Sequence, residues 1–307
     1  MVQKTEYIWF DGEFIPWDQA KIHVLSHALH YGTGAFEGIR AYRCIDGTSA
    51  IFRLSDHVKR LFHSIKILGL RIPHLEEDIS SAIIDTLKIN KLTEGYIRPL
   101  SFVGEGIMGV HPGDNPIKTI IAVWPWGAYL GEEGLKNGIN VKTSSFVRHH
   151  VNAMMTKAKL SGNYVNSVLA KMEAKSSGYD EALMLDSAGF VSEASGENIF
   201  IIRDGVIKTT PLTSILGGIT RNSVISIASD LGYTVIEQQF TRDELYISDE
   251  AFFTGTAAEV TPIQSVDNRI IGEGKIGSIT HAIQKKYFSI VKGEDPFYKN
   301  WLTFFTI

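Results

Sequence analysis

The sequence predicts an α+β fold in two domains. Three observations carry that expectation: apolar residues recur at helical spacing in two early segments, strand-like runs follow them, and Pro125, Gly127, Gly131 and Gly134 interrupt the pattern midway. A chain of 307 residues, 44% hydrophobic and 21% charged, exceeds the usual size of one domain and can bury a sizeable core.

Taken in order, EYIWF and EFIPW flank Asp11-Gly12, a dipeptide that supplies the positive φ angles of a tight turn, so the chain is expected to open with a β-hairpin. Val58, Leu61, Phe62, Ile65 and Leu68 then recur at helical spacing and stop at Gly69. Ile79, Ile83, Ile84 and Leu87 do the same, which predicts two helices packed on one sheet. Strand-like runs at Tyr96–Val103 and Thr119–Trp124 lead to the proline and glycine break, and a new strand starts over Ile139–Thr143. We therefore divide the chain into a smaller N-terminal domain, 1–127, an interdomain loop, 128–137, and a larger C-terminal domain, 138–307. In the second half the pattern predicts a helix over 163–175 with Val165, Val168, Leu169 and Met172 facing inward. Strands broken at Ser187–Gly189 and Asp204–Gly205 come next, then a helix that ends at Gly232. Sheets with helices on one side are the expected architecture. No fixed-period repeat, low-complexity tract or heptad seam occurs, which excludes solenoids and coiled coils.

Bulk chemistry excludes several function classes. The formal charge is only -4, and no block of lysine and arginine builds the positive surface that nucleic acid requires. Cys44 is the single cysteine, which rules out an intrachain disulfide, leaves no cysteine cluster for zinc and fits a reducing cytoplasm; no metal is expected. The N-terminus, MVQKTEYIWFDGEF, carries a charge every few residues, and no uncharged run approaches membrane-spanning length. The expectation is a soluble, unprocessed protein with no membrane partner.

The chemistry is concentrated in GFVSEASGENIF at 189–200, which sets the carboxylate of Glu193 among small and polar residues. Two glycine- and hydroxyl-rich segments follow, LGGITR at 216–221 and TGTAAEVTP at 254–262. A carboxylate followed by two anion-cradling segments points to a bound phosphate-bearing heterocycle. The stretch from Val151 to Pro262 resembles the fold-type IV aminotransferases that use pyridoxal 5'-phosphate (PLP), and within them the branched-chain amino-acid aminotransferases. The resemblance extends to YGTGAFEGIRAY at 31–42, EGYIRPL at 94–100, GIMGVHP at 106–112 and KAKLSGNY at 157–164. It implies a fold-type IV PLP enzyme of two mixed α/β domains, with the cofactor held at their interface and the larger domain as its main binding unit.

The resemblance also assigns residues. Lys159 of KAKLSGNY is the Schiff-base amine, although spacing alone leaves Lys157, Lys171 and Lys175 as competitors. Glu193 is the anion beside the ring nitrogen, where the bare residue reads as a capping or surface glutamate. Tyr164 bonds the ring hydroxyl; read alone, it is core packing at a helix start. Leu216, Ile219 and Thr220 form the phosphate cradle. By its residues alone, Gly217–Thr220 leading into the helix of Val224, Ile225 and Ala228 is a threonine-capped helix as readily as an anion site. Thr256 adds a second hydroxyl, and Arg60, otherwise a solvated helix arginine, adds positive charge. Substrate would meet Tyr31, Phe36, Arg40, Tyr96, Arg98, Met108, Val110, Tyr129, Thr256 and Ala257, a set with several large apolar faces that suits aliphatic side chains; Phe36 and Val110 also read as plain core. Arg98 and Tyr31 would take the second carboxylate of glutamate, and Tyr96 with the N–H groups near Ala257 the first. The YGTGAFEG and MGVHP segments would complete a partner subunit's pocket, which makes the active unit at least a homodimer and admits a higher homo-oligomer.

The activity implied is transamination of leucine, isoleucine and valine with 2-oxoglutarate, giving branched-chain 2-oxo acids and glutamate. Two rivals share the fold, a D-amino-acid transaminase and an aminodeoxychorismate lyase, and both sit less well with YGTGAFEGIRAY and YIRPL. A non-catalytic sensor of a phosphorylated metabolite, holding it through Thr220 and Thr256, would need no Schiff-base lysine.

Overall fold

The structure, a computed structural model, describes residues 2–127 and 129–307. The chain divides into two compact units. The first comprises 1–127, 158–163 and 290–307, and the second 128–157 and 164–289.

In the first unit, the described residues form an eight-stranded sheet. Its order is Leu302–Phe305, Ser49–Phe52, Ile39–Arg43, Gly95–Val103, Ile117–Trp124, Tyr7–Phe10 and Glu13–Pro16, with Gly34–Phe36 also paired to Gly95–Val103. The opening hairpin forms as expected, because Asp11 at φ 48° and Gly12 at φ 103° adopt the left-handed geometry that a two-residue turn needs. Helices Leu54–Ile67 and Glu76–Ile89 pack against each other and against this sheet. Val58, Ile79, Ile83 and Leu87 meet Ile39, Ile51, Ile97, Ile121 and Val123 in one buried cluster. Each such side chain contributes about 1.5–3 kcal/mol by leaving water.

In the second unit the described strands form a nine-stranded mixed sheet. Its order is Val191–Ala194, Glu181–Leu185, Ile139–Thr143, Glu259–Val266, Glu250–Gly255, Asn198–Arg203, Val206–Thr209 and Val235–Glu237, with Arg269–Ile270 beside Glu259–Val266. Asn198–Arg203 is buried at every position except Arg203, the signature of a central strand covered on both faces. Helices Tyr164–Ser176, Ile219–Asp230 and Ser278–Val291 belong to this unit or end at its edge.

Three expectations need correction. Residues 158–163 and 290–307, read from sequence as part of the larger domain, belong to the first unit. Phe36 N–H donates to Lys159 O at 3.1 Å, Ser161 N–H to Gly34 O at 2.8 Å and Gly162 N–H to Gly32 O at 3.1 Å. Leu302–Phe305 pairs with Ser49–Phe52 as an edge strand. Within 128–137, read as a loop, Glu132–Asn137 is helical. Lastly, Val165, Val168, Leu169 and Met172 face outward. Helix Tyr164–Ser176 buries Ser167, Ala170 and Ala174 instead, and its two alanines lie against Ala182 and Met184. Two stripes at helical spacing overlap in this segment, and the small one lets the helix lie close on strand Glu181–Leu185. Spacing defines the helix but not the face that it buries.

Candidate active site

In the first unit, the motif segments converge on one another. Lys159 is half-buried; its N–H donates to Ser64 Oγ at 3.0 Å, and its Nζ lies 5.1 Å from the centroid of the Phe36 ring. Gly32 is required here twice over: its φ is +67°, and a Cβ on it would meet Gly162 Cα at 2.8 Å. The competitors of Lys159 are placed otherwise. Lys171 pairs with buried Glu181, Lys175 with Asp180 at 3.6 Å, and Lys157, in the second unit, donates to Ile215 O at 3.3 Å. Desolvation, with help from Arg221 and against the pull of Glu193, lowers the Lys157 ammonium below its ordinary value.

Arg60 is already engaged. Its Nε donates to Glu37 Oε1 at 2.7 Å and its Nη2 to Oε2 at 2.9 Å, a bidentate pair on a carboxylate with no exposure. His57, three residues earlier on the same helix, meets Glu37 Oε2 through Nδ1 at 2.7 Å. Burial alone would raise the Glu37 carboxyl, but the charge and hydrogen bonds of Arg60, followed by His57, hold it well below the usual carboxylate range. His57 is lowered, by burial first and by the Arg60 and Lys159 cations, against the opposing pull of Glu37.

Arg98 sits among aromatic faces, its Cζ 4.8 Å from Phe36, 5.4 Å from Tyr96 and 5.9 Å from Trp124. Its Nε is buried without a hydrogen-bond partner. Tyr96 is buried against Trp124 and Trp126, and Gly38 makes room for it: a Cβ there would meet the Tyr96 hydroxyl at 1.9 Å. Arg40 donates to Gly127 O at 2.8 Å. Tyr31 and Met108 are exposed, and Val110 is 86% exposed, which overturns its reading as core.

In the second unit, Glu193 is 5% exposed on strand Val191–Ala194, beside a register shift against its neighbour. Arg148 Nε donates to its Oε1 at 2.6 Å, Asn198 Nδ2 to its Oε2 at 3.2 Å and the Leu216 N–H to the same oxygen at 3.3 Å. Leu216 thus ties the acid to the glycine-rich turn that opens helix Ile219–Asp230. Gly218 is the N-cap, and no side chain caps the helix, so Thr220 stands inside the first turn; the threonine-capped reading is corrected. Thr220 is 2% exposed. A Cβ on Gly218 would meet Asn198 Oδ1 at 2.0 Å, so any side chain here must displace the Asn198 amide. Thr256 and Ala257 lie in the three-residue turn between Glu250–Gly255 and Glu259–Val266, closed by Glu259 in the left-handed region at φ 57°. Tyr164 begins helix Tyr164–Ser176, and Tyr129 has the Lys171 ammonium 5.4 Å from its ring centroid.

Four residues of these networks had no role from sequence. Glu37 and Asn198 lie inside motifs already singled out, and His57 was detectable as the i–3 neighbour of Arg60. Arg148, in SSFVRHH, carries no local signal.

Comparison with known proteins gives these networks a context. The description "Amino-transferase class IV" matches residues 34–266. The branched-chain-amino-acid aminotransferase of Pseudomonas aeruginosa is 52% identical over 303 residues, covering 99% of this chain and 98% of that protein. Its counterpart in Escherichia coli K12 is 46% identical over 98% of this chain and 97% of its own length. Among solved structures, the Escherichia coli branched-chain amino acid aminotransferase superposes with a TM-score of 0.95 at 46% identity, over 97% of this chain and 99% of that one. The branched-chain amino acid aminotransferase of Thermobaculum terrenum, in its PLP-form, gives a TM-score of 0.93 at 35% identity, over 99% of both chains. With the family match running over residues 34–266 and the relatives aligned over nearly the whole chain, the chain belongs to the class IV aminotransferases and has their α+β, fold-type IV architecture.

Proposed function

We propose that this protein is a PLP-dependent transaminase that moves the amino group of leucine, isoleucine or valine to 2-oxoglutarate. Its products are branched-chain 2-oxo acids and glutamate. One observation carries the reading: a buried carboxylate, Glu193, is hydrogen-bonded through Leu216 to the start of an uncapped twelve-residue helix. That network offers an anion for a ring cation and N–H donors for a phosphate. The chemistry of this donor set fits PLP.

When bound, PLP supplies an aldehyde that condenses with amines and a protonated ring that accepts the electrons left when a substrate's Cα proton departs. The side chains supply the rest. With the cofactor bound, Lys159 Nζ would be the amine that holds the aldehyde carbon and the base that would carry the substrate's Cα proton. Glu193 would keep the ring nitrogen protonated, and Tyr164 would donate to the ring hydroxyl. Leu216, Ile219, Thr220 and Thr256 would hold the phosphate, with Arg60 as the proposed cation; Glu37 aims Arg60 through its grip on Nε and Nη2. Arg98 and Tyr31 take the distal carboxylate of glutamate, and the unpartnered Nε of the aromatic-walled Arg98 supports that role. Tyr96 and the N–H groups near Ala257 orient the α-carboxylate. Phe36, Arg40, Met108, Val110 and Tyr129 shape the aliphatic pocket.

The working unit is a homodimer at least, a reading supported by large apolar side chains left exposed at Leu25, Leu29, Ile107, Met108 and Val110. The stripe Val165, Val168, Leu169 and Met172 offers a further self-contact for a higher homo-oligomer. The buried, free Cys44 suits a cytoplasmic location, and among the described residues no helix is long and apolar enough to cross a membrane.

Borohydride reduction of the PLP-loaded protein followed by peptide mapping tests the core assignment. The modified residue is expected to be Lys159, and Lys159→Ala is expected to abolish both the adduct and turnover; modification elsewhere overturns it. Half-reaction rates over a panel of amino acids test the substrate. Conversion of D-alanine with leucine, isoleucine and valine untouched would replace the reading with a D-amino-acid transaminase, and pyruvate release from aminodeoxychorismate would replace it with the lyase.

A further inference from the structure

We propose that Arg148 is a positioning residue for Glu193, holding that side chain aimed and in its carboxylate form before any cofactor arrives. The proposal deepens the reading above, since it rests on Glu193 facing the ring nitrogen of PLP.

The geometry is a buried ion pair. The two side chains are 9% and 6% exposed, and Arg148 Nε lies 2.6 Å from Glu193 Oε1. A carboxylate at that depth without a cation takes up a proton, because burial penalises the charged form. The neutral donors Asn198 Nδ2 and Leu216 N–H stand farther off, at 3.2 and 3.3 Å, and orient the second oxygen without neutralising its charge. The Lys157 ammonium also feels Glu193, but it donates to Ile215 O.

Arg148 is braced in turn. Its N–H donates to Leu185 O at 2.7 Å, and its Nη1 lies 3.2 Å from His149 Nδ1 and 3.5 Å from Asn166 Oδ1. Asn166 is itself anchored through Nδ2 to Val147 O at 3.0 Å. Burial, then the Arg148 charge, pushes His149 down to about 4 against the opposing influence of Asn166, so the imidazole is neutral at neutral pH and accepts at Nδ1. Its proton then resides on Nε2, which is buried without a partner. The chain of contacts runs from Asn166 and His149 through Arg148 to Glu193.

The consequence concerns where one proton rests. A ring nitrogen facing Glu193 shares a proton with Oε, and in a buried site two neutral partners compete with an ion pair. By favouring the carboxylate, Arg148 leaves the proton on the ring nitrogen, where the ring needs it to accept electrons. No bond other than N–H and O–H is exchanged.

The test uses Arg148→Met, Arg148→Lys and the double variant Arg148→Met/Glu193→Gln. In the apoprotein at neutral pH, infrared difference spectra are expected to show a protonated carboxyl band in Arg148→Met that vanishes in the double variant. Neither the parent protein nor Arg148→Lys should show it. Loaded with PLP labelled with 15N in the ring, the parent and Arg148→Lys should give a pyridinium signal and Arg148→Met a neutral pyridine signal. For Arg148→Met, kcat should fall about 100-fold, while KM for the amino acid changes little. Absence of the carboxyl band together with an unchanged 15N signal in Arg148→Met overturns the proposal.

If Arg148→Met does not fold, the parent apoprotein decides. The carboxylate band lost in Glu193→Gln must persist as pH falls from 7 to 5, and its replacement by a protonated carboxyl at pH 7 overturns the proposal. A 15N signal unaffected by Glu193→Gln would sink the ring-nitrogen reading alone, because the infrared measurements on the apoprotein are independent of it.

Discussion

Glu37 has no exposure and carries a charge, a combination tolerated only because Arg60 grips both its oxygens and His57 bonds one of them. Removing one member of such a group leaves another charge buried and unpaired, so Glu37→Gln is expected to destabilise the fold by about 3–5 kcal/mol in urea denaturation. PLP affinity should weaken with it, since Arg60 loses the carboxylate that aims it. The histidines set a pH dependence of known sign. His149 titrates near 4 when folded, below the ordinary 6.5, so the unfolded chain takes up its proton first as pH falls. Its contribution to stability is whole above about 6.5 and is lost progressively toward 4. The thermal midpoint is accordingly expected to drop over that window, and to drop less steeply in His149→Gln.

At the scale of elements, the start of helix Ile219–Asp230 is the sensitive joint. Gly218 packs against Asn198, which bonds both Glu193 and Leu216 O. Gly218→Ala drives a methyl into Asn198 Oδ1 and disturbs the acid and the helix start together. A stability loss of about 1–3 kcal/mol and weaker PLP binding are expected, read by thermal melts and by fluorescence titration of the apoprotein. Helix Tyr164–Ser176 illustrates a different point. Its apolar stripe at i, i+3, i+4 and i+7 is outward because Ala170 and Ala174 permit the closer approach to the sheet. Period 3.6 is equally satisfied by either stripe, and only the shape of the facing strand decides between them.

For the whole molecule, exposed apolar residues are the feature that assembly must answer. Val110, which follows Gly109 in a loop, is 86% exposed, the least buried of them among the described residues. For the proposed homodimer, Val110→Asp is expected to shift sedimentation toward monomer at micromolar concentration and to reduce turnover in parallel; unchanged sedimentation with normal turnover would remove this segment from the proposed interface. The two units also illustrate why one boundary was misjudged. A proline and glycine break marks where the chain first leaves a unit, but Lys159 and the C-terminal strand return to the first unit by backbone hydrogen bonds to distant partners.

The sequence by itself determined what is local: the hairpin at Asp11-Gly12, the helices around Val58 and Ile79, the glycines that turns demand, and the motif residues whose order carried the family. Periodicity and turn chemistry act over a few residues, and a single chain displays them without folding. Only the tertiary structure decided that Glu37 occupies two nitrogens of Arg60, that Arg148 meets Glu193 across 45 positions, and that the stripe of Val165 and Met172 faces out. Those outcomes depend on which distant side chains share a buried volume, and burial, unlike periodicity, is a property of the packed chain.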